Sequence, residues 1–107
     1  MNKIEHIGIA VKSLESASQV YAKLLGKSSY KKEVVEAEHV VTEFFALGEN
    51  KIELLEATSA ESAIARFIEK KGEGIHHIAF DVDDIEEEMK RLKAEGYIGK
   101  REMQIER

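Results

Sequence analysis

From His6 onward the apolar side chains fall on every second position, Ile7, Ile9 and Val11, and the positions between them hold only Gly8 and Ala10. A period of two is the signature of a strand. The pattern returns later behind a second histidine. His6-Ile7-Gly8-Ile9-Ala10-Val11-Lys12-Ser13-Leu14-Glu15 aligns with His77-Ile78-Ala79-Phe80-Asp81-Val82-Asp83-Asp84-Ile85-Glu86, with apolar, small and polar positions in phase. A repeat of this kind decides how the rest of the chain is read. Each copy predicts a strand, a polar turn and a helix of about three turns, stopping at Gly26 in the first and Gly96 in the second. Ser13 and Asp84 stand at N-cap positions, and Asp84 with Glu87 fits a capping box. Leu14, Val20 and Leu24, then Ile85, Met89 and Leu92, give each helix an apolar stripe. Each helix is therefore expected to pack on its own strand.

Between the copies, Val34 to Leu47 reads as extended, and Val40 to Leu47, Gly48-Glu49-Asn50 and Lys51 to Glu56 read as a β-hairpin. Thr58 with Glu61 matches another capping box and opens a helix through Ala60, Ile64, Phe67 and Ile68 that ends at Gly72. The chain then divides into a first module at 1–57, a connecting helix and turn at 58–73, and a partial second module at 74–107. Weak alternation at Met103 and Ile105 reads as one short strand.

Length and composition narrow the function. At 107 residues the chain is in the range of a single domain, and 43% hydrophobic with 35% charged residues suits a packed core under a solvated surface. A net charge of -5 opposes attraction to nucleic acid phosphates and anionic lipid. No apolar run approaches the ~20 residues that span a bilayer, and the amino terminus lacks the apolar block of a secretory signal. A cytoplasmic location is the resulting expectation. Without cysteine, any metal must be held by nitrogen and oxygen.

His6 and His77 occupy one repeat position, so a pseudo-two-fold arrangement of the modules brings both imidazoles to a common axis. Each shares its strand face with small residues, Gly8, Ala10 and Ala79, which leave room for a ligand. The competing reading is a pair of hydrogen-bonded structural histidines. Glu53 lies inside the apolar run Ile52-Glu53-Leu54-Leu55, where an inward charge needs a partner or a cation. It is the natural third ligand; alternatively it faces solvent beside Lys51. With the hairpin turn centred near Glu49, Glu43 shares parity with Phe45, Glu53 and Leu55. That would place Glu43 beside the metal as a general base. His39 and His76 read as ordinary loop or surface residues.

Three segments together carry a resemblance: His6-Ile7-Gly8-Ile9-Ala10-Val11, Lys51-Ile52-Glu53-Leu54-Leu55, and Gly72-Glu73-Gly74-Ile75-His76-His77-Ile78-Ala79-Phe80-Asp81-Val82-Asp83-Asp84-Ile85. From residue 1 to about Gly96 the chain resembles the methylmalonyl-CoA epimerases of the vicinal-oxygen-chelate (glyoxalase/bleomycin resistance/dioxygenase) superfamily. The resemblance implies an α+β fold of paired βαβββ modules around one divalent ion, here with the second module incomplete. It assigns His6, Glu53 and His77, rather than His76, as ligands, and Co²⁺ or Mn²⁺ as the metal, with Zn²⁺ or Ni²⁺ as further options. It implies an acyl-CoA substrate, epimerised through α-proton abstraction and an enolate. A partner chain completing the sheet through its exposed edge makes a homodimer the expectation.

The family's fourth ligand, a glutamate in a Val-Glu-Leu-like final strand, has no counterpart here. Neither have its glycine-rich loop and His-Pro-Lys-like strand. Weak or absent activity of this form alone is the resulting expectation. Two other readings stay open: a glyoxalase-I-like lactoylglutathione lyase, and a non-enzymatic binding or dimerisation fragment of the same fold.

Overall fold

The computed structural model describes residues 1–96 and the strand 103–106. Its elements are β1 (Lys3–Ala10), α1 (Leu14–Leu25), β2 (Lys31–Val35), a 3-10 turn (Glu36–Glu38), β3 (Val40–Leu47), β4 (Asn50–Ala57), α2 (Ala63–Lys71), β5 (Gly74–Asp81), α3 (Ile85–Ala94) and β6 (Met103–Glu106). The strands form one sheet in the order β2-β3-β4-β1-β5-β6. The first module is a complete βαβββ unit. In the second, the described residues supply β5, α3 and β6.

Local chemistry sets most boundaries. The Ser13 side chain accepts the amide of Ser16 and starts α1, and Gly26 ends it in the left-handed region at φ 71°. Asp84 accepts the amide of Glu87 in the same way for α3. α2 departs from the expected capping box. Ser62, not Thr58, caps it by accepting the amide of Ile64, while the Thr58 amide is tied back to the carbonyl of His39. The extended stretch is also broken: the 3-10 turn and His39, at φ 55°, separate β2 from β3.

Two layers of packing follow. On one face Val11, Leu14, Phe45, Ile52 and Leu54 form a core under α1, joined by Ala17, Tyr21 and Leu25. The expected stripe is therefore wrong for two positions: Val20 and Leu24 lie outside, 60% and 73% exposed. α1 also lies over β3 and β4 more than over its own strand. On the other face Ala10, Val40, Leu55 and Ile64 pack together beneath α2. α3 contributes no buried residue, and Met89 of its expected stripe is exposed.

The seam between the modules is the antiparallel pair β1–β5. Ile7 pairs with Ile78, flanked symmetrically by His6 with Ala79 and Gly8 with His77. The repeat thus maps onto itself about Ile7 and Ile78. The outer pairs repeat as well: β4 runs parallel to β1 with Glu53 opposite Gly8, and β6 runs parallel to β5 with Gln104 opposite Ala79. The short strand read from the tail therefore takes the place beside β5 that β4 takes beside β1.

Candidate metal centre

β1, β4 and β5 are adjacent at the middle of the sheet, and each turns one of His6, Glu53 and His77 to the same side. The fit depends on Gly8. A Cβ there would come within 2.2–2.7 Å of three atoms of the His77 ring, so only a glycine lets that imidazole lie across β1. His6 and His77 are 8% and 6% exposed.

His6 Nε2 stands 3.1 Å from His77 Nε2, and Glu53 Oε1 stands 3.3 Å from each. Donor atoms bound at about 2.1 Å to one ion are roughly 3.0 Å apart at right angles and 3.4 Å apart at tetrahedral angles. The observed triangle fits one coordination sphere. Donor chemistry gives a second test. His6 Nδ1 lies 2.6 Å from Glu5 Oε1, a carboxylate that can only accept, so a neutral His6 turns a bare Nε2 lone pair toward the Glu53 carboxylate. Two acceptors facing each other, one buried and one mostly so, need a proton or a cation between them. The three residues therefore suit a divalent ion.

In metal-free protein a proton shared with the histidines takes the cation's part. Burial alone would push the Glu53 pKa up, but hydrogen bonding and positive charge from His6 and His77 outweigh it and hold the pKa at about 2. Glu5 follows suit: burial is outweighed by Lys51, whose Nζ is 2.6 Å from Oε2, and by His6, so its carboxyl lies below the usual range. Burial first, and then neighbouring His77, lowers the His76 pKa against the opposing pull of Glu53.

In front of the three side chains opens a cleft of about 710 Å³, with Tyr30, Lys31, Glu38 and Phe44 among its lining residues. Glu43, expected beside the site, is not in it. The hairpin turn is centred between Gly48 and Glu49, so Phe44 stands opposite Glu53 and Glu43 opposite Leu54. Glu43 consequently lies on the α1 face, buried, where its Oε2 accepts hydrogen bonds from Ser18 Oγ at 2.8 Å and Ser29 Oγ at 2.6 Å. The carboxylate that the cleft does contain near β3 is Glu38, on the 3-10 turn. His39 pairs with Glu61 at 3.4 Å. His76 is no surface residue: it is half-buried in β5 and touches His77.

Two βα units meeting along their first strands, with two histidines and a glutamate converging on one face, define a glyoxalase-type chelate fold. A family model described as Glyoxalase/Bleomycin resistance protein/Dioxygenase superfamily matches residues 5–104, and the chain belongs to that superfamily. Within it, the chain is 42% identical over 92 residues to the uncharacterized protein YqjC of Bacillus subtilis, covering 86% of this chain and 66% of that one. It is 40% identical over 98 residues to the ethylmalonyl-CoA/methylmalonyl-CoA epimerase of Cereibacter sphaeroides, covering 90% and 72%. A solved methylmalonyl-CoA epimerase in complex with methylmalonyl-CoA and NH4+ superposes with a TM-score of 0.81 at 30% identity, covering 90% of this chain and 71% of that one. Against the mitochondrial methylmalonyl-CoA epimerases of Dictyostelium discoideum and Homo sapiens, the chain spans 58% and 53% of the relatives' length. Among the described residues no helix is long and apolar enough to cross a membrane.

Proposed function

We propose that the protein is a metal-dependent epimerase that interconverts (R)- and (S)-methylmalonyl-CoA, with His6, Glu53 and His77 as metal ligands. The observation that carries this reading is the triangle of donor atoms at 3.1–3.3 Å, from two buried imidazoles and a partly buried carboxylate, opening onto a cleft, in a chain whose relatives include named methylmalonyl-CoA epimerases. A divalent ion held there supplies Lewis-acid stabilisation of the negative charge that develops when an α-proton leaves a thioester. Co²⁺ and Mn²⁺ both suit two imidazoles and a carboxylate.

The protein's own groups do the rest. Glu38 replaces Glu43 as the proton-transfer residue in this reading, because it lines the cleft while Glu43 is bonded to two serines behind the sheet. Tyr30 and Phe44 give one wall an apolar surface, and Lys31, whose Nζ is 5.5 Å from the centre of the Phe44 ring, adds a positive charge for an anionic substrate. Inversion needs a second proton-transfer group on the opposite side of the α-carbon. We place the protein in the cytoplasm, as a homodimer.

The test uses metal-free protein reconstituted with Co²⁺. Methylmalonyl-CoA in D₂O should epimerise with exchange of its α-proton, and Glu38→Gln should slow both exchange and epimerisation by on the order of 100-fold, with Glu43→Gln close to wild type. Exchange that is unaffected in Glu38→Gln would remove that residue from the mechanism. Turnover of the glutathione hemithioacetal of methylglyoxal in place of methylmalonyl-CoA would favour a lyase instead.

A further inference from the structure

The β1–β5 seam contains two irregularities. Going outward from Ile7 and Ile78, the register slips once between His6 and Ile4, where Glu5 is extra on β1. It slips again between Gly8 and Ile9, where His76 is extra on β5, since His77 faces Gly8 and Ile75 faces Ile9. His6 and His77 are 71 residues apart, and the two extra residues immediately precede them. The bulges are therefore repeats of one another. A bulge breaks the strict alternation of a strand and re-aims side chains, so each extra residue can reach its histidine neighbour.

Both do so at the same atom. Glu5 Oε1 lies 2.6 Å from His6 Nδ1, and His76 Nδ1 lies 2.9 Å from His77 Nδ1. In each half the nitrogen remote from the site is engaged and Nε2 is left pointing inward, where the two meet at 3.1 Å. Each extra residue is itself anchored by an element of the first module or the connecting helix. Lys51 of β4 holds Glu5 from its other oxygen at 2.6 Å. Phe67 of α2 meets the His76 ring edge-on, with centroids 5.0 Å apart and planes at 84°.

From this geometry we infer that Glu5 and His76 are positioning residues that fix the His6 and His77 rings with Nε2 toward Glu53, through a matched pair of bulges. The inference rests on the metal reading above. The two halves differ in strength. A carboxylate only accepts, so Glu5 dictates the Nδ1–H tautomer of His6 and raises its donor strength. His76 can donate or accept, so it orients His77 without dictating its tautomer.

The experiment is a Co²⁺ titration of the metal-free full chain, followed by d-d absorption, for wild type, Glu5→Ala, Glu5→Gln, His76→Ala and His76→Asn. Nitrogen-15 NMR of the histidine rings is recorded on each protein before metal is added. Glu5→Ala should weaken Co²⁺ binding by about 10–100-fold and shift His6 from the Nδ1–H form. Glu5→Gln, whose amide oxygen still accepts, should recover part of both. His76→Ala should weaken binding less than Glu5→Ala, with partial recovery in His76→Asn. Folding of each variant is checked by far-UV circular dichroism. If wild type binds Co²⁺ and all four folded variants bind equally well with unchanged ring signals, the positioning role is overturned and the metal site stands. If wild type itself binds no Co²⁺, the metal reading falls and this inference with it.

Discussion

The two histidines occupy equivalent places in the repeat, yet their surroundings are built differently. His6 belongs to a full four-stranded wall, and its strand leads through Val11 to Leu14, both in the core beneath α1. His77 belongs to a module whose helix buries nothing among the described residues. Its ring is placed from outside that module: by the space above Gly8 on β1, by Glu53 on β4, and through His76 by Phe67 on α2. A symmetric site therefore does not require two equally self-sufficient halves. The first half is supported by its own core, and the second leans on the first.

The sharpest way to break this asymmetry is at Gly8. Gly8→Ala places a methyl group inside the His77 ring position and should cost about 1–3 kcal/mol of stability, while reducing Co²⁺ affinity by on the order of 100-fold. Ala79→Gly, at the equivalent position opposite His6, should leave the metal site nearly intact. Comparable losses of Co²⁺ affinity in the two variants would show that the halves are equally dependent.

The helices offer the next contrast. Leu14→Ala removes a side chain that is 3% exposed in the main core and should destabilise by about 2–5 kcal/mol. Ile85→Ala, at the matching position of α3, touches no core cluster and should cost about 1 kcal/mol or less. Urea midpoints with a common slope measure both. Equal losses would mean that α3 carries more of the fold than its burial indicates.

The smallest effect tests the link between the halves. Glu53 bonds to both histidines, and its pKa of about 2 is below its ordinary 4.5. A carboxyl with a lowered folded-state value stabilises the fold fully above the unfolded value, and that contribution is lost as pH falls through the folded one. Metal-free protein should therefore lose stability between about pH 4.5 and pH 2, and Glu53→Gln should flatten that part of the profile. An unchanged acid profile in Glu53→Gln would mean that the carboxylate does not join the two halves.

Much of this was legible from residue order, for identifiable reasons. The repeat exposed His6 and His77 because both strands carry period-two patterning in the same phase, and the hairpin exposed Glu53 as a charge within an apolar strand. Glu43 was misplaced because side-chain direction flips with a single residue of register. A turn centred on Glu49 puts it beside Glu53, whereas the actual two-residue turn puts it behind the sheet. The α1 stripe failed at Val20 and Leu24 for a related reason. The face that meets β3 and β4 runs through Leu14, Ala17, Tyr21 and Leu25, and includes residues too small or too polar to stand out. The bulges left one faint trace. Glu5-His6 and His76-His77 are consecutive polar pairs in otherwise alternating strands, at the same repeat position. Nothing in the order of residues marked the 3-10 turn that brings Glu38 to the cleft.

The register of the seam has a further consequence for dilution. Because Ile7 faces Ile78 and every pair on one side has its counterpart on the other, β1 and β5 meet as two subunits of a two-fold dimer would. The connecting segment acts as a tether, setting the effective concentration of one half near the other. Nicking the chain between Gly72 and Gly74 would convert a site indifferent to protein concentration into one that dissociates as the solution is thinned.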